Sequence, residues 1–181
     1  MHTPGISDHN SRGAAYAMAG NYRRALIEFT LAIRIKSREA TAYYNRALVY
    51  RSLNNYQRAL GDFARALELR PAYRLAYYQR GFTYYVCGEH HRALRDFGAV
   101  LALEPADIAA LIGRSRVCIA LEEYDQALLN LDRAIASNAR QAGEQGAYTY
   151  RGQVYSVLGR HTDAVVDFAH ALSLQPGDTP I

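Results

Sequence analysis

The feature that most constrains this chain is that it repeats itself. The stretch Ala40–Pro71 reads as two one-faced helices, with Tyr43, Ala47 and Tyr50 spaced i, i+4, i+7 in the first. In the second, Ala59, Leu60, Phe63, Ala66 and Leu67 share one face. That is helical periodicity, not strand alternation. Asn54, which tolerates a left-handed backbone, separates them, and Pro71 closes the unit. The second-helix alanine recurs at Ala25, Ala59, Ala93, Ala127 and Ala164, in three steps of 34 residues and one of 37.

Other positions recur in the same register. A small residue falls at Gly13, Ala47, Gly81, Ser115 and Gly152, and a ring or its substitute at Tyr16, Tyr50, Tyr84, Cys118 and Tyr155. The second helix carries Phe29, Phe63, Phe97, Leu131 and Phe168, and the turn Gly20, Asn54, Gly88, Glu122 and Gly159. Close helix crossing needs a small residue, a large ring must fill the space beside it, and the turn needs positive φ. A hairpin this short cannot bury its own apolar face, so neighbouring copies must cover one another.

A 34-residue helix–turn–helix with this pattern resembles the tetratricopeptide repeat, or TPR. The resemblance implies an all-α, right-handed solenoid of five antiparallel helix pairs. A single domain is expected over 6–178, with repeats at about 6–39, 40–73, 74–107, 108–144 and 145–178, and a frayed 1–5. Repeat 4 departs most, and the three extra residues after it, near Ser137–Gln145 with Gly143 and Gly146, mark a candidate joint.

One position is unusual for a helix pair: Arg12, Arg46, Arg80, Arg114 and Arg151. Sixteen residues on stand Glu28, Asp62, Asp96, Asn130 and Asp167. Across a hairpin these positions lie level, which predicts an internal arginine–carboxylate pair in four of five repeats. Asn130 cannot neutralise Arg114, so either another acid such as Asp132 substitutes or Arg114 is open to a partner.

The family resemblance also implies a concave surface lined by first helices, which holds a partner's peptide. Carried onto this chain, the groove candidates are Tyr44, Asn45, Arg51, Tyr78, Gln79, Phe82, Tyr85, Arg116 and Tyr150. Asn45 and Gln79 can donate and accept toward a peptide backbone, and the rings can bury apolar side chains. Only Asn45 fits the carboxylate clamp that some relatives use, so a clamp of that kind is not expected. A protein-interaction scaffold is the leading reading. The alternative is an assembly module acting through the last helix, whose Val165, Phe168 and Leu172 have no following copy to cover them. That end is expected either to self-associate or to be the cut edge of a longer protein. A weaker alternative is RNA or acidic-ligand binding through arginine, since Lys36 is the only lysine among 21 basic residues.

A net charge of +4, with no basic run longer than Arg23–Arg24, points away from nucleic acid. The chain carries no HExxH, GxSxG or phosphate-cradling glycine loop, and its six histidines are scattered, so no enzyme activity, cofactor or metal is expected. His90 and His161 replace Tyr22, Tyr56 and Tyr124 and are expected to pack. Cys87 and Cys118 are expected to be small buried hydrophobes in a reducing compartment. The N-terminus lacks a signal-peptide core and no apolar run is long enough for a membrane span, so a cytoplasmic protein is expected.

Overall fold

The structure is a computed structural model and describes residues 6–137 and 144–174. Among these residues there are ten α-helices and no strand. They are α1 (Ile6–Met18), α2 (Tyr22–Ile35), α3 (Ala40–Ser52), α4 (Tyr56–Leu69), α5 (Arg74–Val86), α6 (His90–Leu103), α7 (Ile108–Ala120), α8 (Tyr124–Ala136), α9 (Glu144–Val157) and α10 (His161–Ser173). The chain divides into two compact units, Met1–Glu89 and His90–Ile181. In the first, α1 packs on α2, α3 on α4, and the pairs are joined through α2–α3 and α4–α5. In the second, α7 packs on α8 and α9 on α10, joined through α6–α7 and α8–α9. This is the expected all-α class of antiparallel helix pairs. Residues 1–5, expected to fray, and most of the candidate joint, 138–143, lie outside the described residues, as does the chain beyond 174.

The turns show why the period is legible. Gly20, Asn54, Gly88, Glu122 and Gly159 all have φ between 57° and 75°. Each donates its N–H back three residues, and the next residue donates back five: Asn21 to Tyr16, Asn55 to Tyr50, Glu89 to Tyr84, Glu123 to Cys118 and Arg160 to Tyr155. This paired bond satisfies the last carbonyls of a helix and requires the left-handed residue between them. Asn21 and Asn55 then cap the following helix, accepting from the Arg24 and Arg58 amides at 3.3 and 3.4 Å.

The small-residue position faces the ring of the partner helix. A Cβ on Gly13 would stand 2.6 Å from Phe29, and one on Gly152 2.7 Å from Phe168. Phe29, Phe63, Phe97 and Leu131 are all buried.

The arginine pairs are present where they can be followed. Arg12 donates to Glu28 from Nε and Nη2 at 3.2 and 2.9 Å. Arg46 grips both oxygens of Asp62 at 2.7 and 2.9 Å, and Arg151 both of Asp167 at 2.7 Å. Arg80 and Asp96 fall in different units. His9, which stands where later repeats have Tyr43, Tyr77 and Tyr148, brings Nδ1 to 2.7 Å from Glu28 and so joins its pair. Of the two options for repeat 4, the first does not hold: Asp132 does not serve Arg114. It accepts from Arg151 Nη1 at 2.7 Å, because the guanidinium also reaches back to the second helix of the preceding repeat. Arg46 reaches Thr30 in the same way, at 3.2 Å.

Two packing expectations also fail. Cys87 is exposed, because it follows the last turn of α5, while Cys118 is buried within α7. His161 is exposed at the start of α10. No helix among the described residues is long and apolar enough to cross a membrane.

Candidate peptide-binding surface

In the first unit, α1, α3 and α5 are the first helices of successive pairs, and α3 touches both of the others. Their aligned residues at one helical face carry seven of the nine candidates. Tyr44 is half-buried, its ring 6.0 Å from Phe63 in the core beneath and 5.0 Å from Tyr73. Asn45 donates from Nδ2 to Asn10 Oδ1 of α1 at 3.1 Å. Across the α3–α5 seam, Arg51 donates from Nη1 to Gln79 Oε1, and Gln79 is also hydrogen-bonded to the Tyr44 phenol. The Arg51 guanidinium lies over the Phe82 ring at 5.5 Å, and Phe82 stands 6.4 Å from Tyr85. Tyr78 adds its dipole near the same guanidinium.

The amides Asn45 and Gln79 are therefore not idle. Each is oriented by a neighbour through part of its hydrogen-bonding capacity. Burial pushes the Tyr44 phenol above its ordinary value, against the hydrogen bond with Gln79 and the charge of Arg51. Burial likewise lowers the Arg51 guanidinium, against the nearby tyrosines. Beside Asn45 an apolar cleft of about 300 Å³ opens between α1 and α3, lined by Ala14, Ala17, Met18, Leu48 and Ser52.

The remaining two candidates belong to the second unit, where Arg116 lies 5.6 Å from the Tyr150 ring centroid. Sequence reasoning missed Tyr73, which has no counterpart in other copies: the equivalent positions hold Glu39 and Asp107. It also missed the cleft, since Ala14, Ala17 and Leu48 look like ordinary repeat filling. Among the described residues, no group of three or more His, Cys, Asp or Glu is placed to hold a metal ion.

Residues 40–73 match the tetratricopeptide repeat family. Helices α3 and α4 are thus a tetratricopeptide repeat, and the ten helices of the described residues are consistent in number with about five repeats. Among solved structures, the chain is similar to MamA from Desulfovibrio magneticus at 20% identity, with a TM-score of 0.84 over 96% of this chain and 97% of that one. A tetratricopeptide repeat protein from Parabacteroides merdae matches at 23% identity and TM-score 0.81, over 95% of this chain and 66% of that one. YrrB, described as a TPR protein with an unusual peptide-binding site, matches at 20% identity and TM-score 0.73, over 94% and 87%. At these identities the likeness is one of fold. No curated protein matches the chain.

Proposed function

We propose that the chain is a protein-interaction scaffold and that the face built by α1, α3 and α5 binds an extended segment of a partner protein. The observation that carries this reading is the cluster Tyr44–Gln79–Arg51–Phe82, in which ring, amide and cation are held in place by one another. Side chains already ordered lose little freedom on binding, which favours affinity. Rings beside an apolar cleft suit buried side chains, and oriented amides suit a peptide backbone. The description of YrrB as peptide-binding supports the reading by analogy of fold, a weaker warrant than the site itself.

The test is a pull-down with the native chain against Tyr78→Ala/Tyr85→Ala, with a Tyr44→Ala triple variant beside it. Partner capture should fall with helix content unchanged in the double variant. A catch identical to the native chain's in both the double and the triple variant would remove the reading.

A second reading rests on α10. Val165, Phe168 and Leu172 are 67%, 41% and 69% exposed, while Leu60, Phe63 and Leu67 at the matching positions of α4 are buried. This face would join copies of the chain. Light scattering that shows a mass independent of concentration would end that reading.

A further inference from the structure

Helix α3 carries two half-buried arginines five residues apart, and they are treated differently. Arg46 has a carboxylate, Asp62, in a two-point grip, and its pKa is raised by it. Arg51 has only neutral company: the Gln79 carbonyl oxygen, the Phe82 ring, and the phenols of Tyr44, Tyr78 and Tyr56. Among the described residues no carboxylate lies within ion-pair distance of Arg51, and the bond to Gln79 is the only hydrogen bond it makes. A guanidinium has five N–H donors in a planar fork. Partial removal of that charge from water without a counter-ion costs free energy, and a single cation–π contact offsets only part of it.

We propose that Arg51 is the anchor for an acidic side chain, an internal Asp or Glu of the bound segment. This deepens the groove reading and rests on it. Gln79 and Phe82 hold the guanidinium by one nitrogen and one face, which leaves an edge of N–H groups for two carboxylate oxygens. A single guanidinium matches a carboxylate's single charge better than a phosphate's two. The apolar cleft of Ala14, Ala17 and Leu48 lies toward α1, and Phe82 and Tyr85 lie toward α5. A segment seated here continues past Arg51 in both directions, which favours an internal acid over a terminal carboxylate. The ligand is thus an acid flanked by apolar residues.

The experiment uses the full chain and an array of random nonapeptides, acetylated and amidated, with a parallel set bearing free C-termini and a third bearing phosphoserine. Retained peptides should be enriched in Asp or Glu in the blocked set. For one such peptide, exchange of its acid for the amide should weaken binding about tenfold or more, read by fluorescence anisotropy. The Arg51→Gln protein should bind both forms equally weakly. Gln79→Glu is the second variant, for use whether or not Arg51→Gln folds: it supplies the missing acid from within, so it should raise Tm and abolish the preference for acidic peptides. Retention without acid enrichment, or enrichment only among free C-termini or phosphopeptides, overturns the assignment of Arg51 and leaves the groove reading intact. No peptide retained by the native chain overturns both.

Discussion

At the scale of residues, the arginine joint separates repeat 4 from the others. Arg46 finds acceptors on two helices, Asp62 and Thr30, and Arg151 finds Asp167 and Asp132. At Arg114 both acceptors are gone. Asn130 donates to Gln126 O of its own helix at 2.7 Å, and the residue matching Thr30 and Asp132 is Gly98, where a Cβ would meet open space. Arg114 Nε is buried without a partner. Asn130→Asp or Gly98→Asp should therefore raise stability by about 1–3 kcal/mol, read as a higher denaturant midpoint; no gain from either would refute the joint. Conversely, Asp62→Ala leaves Arg46 uncompensated and should cost about 3–5 kcal/mol, against less than about 1 for exposed Asp125→Ala. The acid limb follows from Glu28. Burial works to raise its pKa, but the hydrogen bonds from His9 and Arg12 and their charges outweigh that and hold it below its usual value. Its stabilisation is present above the unfolded carboxyl value of about 4.3 and is lost as pH falls through the lower folded value. Glu28→Gln should flatten that part of the stability-against-pH curve; an unchanged curve would contradict the pairing.

At the scale of elements, each hairpin turns on one left-handed residue. Gly20, Gly88 and Gly159 adopt that backbone without strain, whereas Glu122 does so with a side chain, at φ 60°. Glu122→Gly should gain about 1 kcal/mol and Gly88→Ala should lose a similar amount, although a Cβ at Gly88 touches nothing. Equal melting temperatures for wild type and both variants would show that the turn tolerates either backbone. The cysteines test helix boundaries. Cys87, past the end of α5, should react with iodoacetamide in the native protein, and Cys118 only after unfolding. Partial desolvation and the neighbouring Glu89 carboxylate push the Cys87 thiol up, and burial does so at Cys118, so the reaction at exposed Cys87 should be slow at neutral pH.

At the scale of the molecule, the period was legible because turn, crossing and ring each demand a residue type at a fixed distance. The pairs Arg12–Glu28, Arg46–Asp62 and Arg151–Asp167 were legible for the same reason, since both members lie in one hairpin. Thr30–Arg46 and Asp132–Arg151 were not, because those contacts join consecutive hairpins and depend on how the pairs stack. The groove was half legible. Face positions on α3 and α5 could be counted off, but which neighbour each side chain takes could not. Asn45 could equally have met solvent; it meets Asn10 because α1 and α3 pack side by side. Nor does the sequence say that Arg51, unlike Arg46, finds no acid within reach. The sequence alone determined ten helices, their pairing and the left-handed turns, since these depend on residues near one another in the chain. Only the tertiary structure decided which charges are answered and which are left open, because that depends on what a neighbouring helix brings within reach.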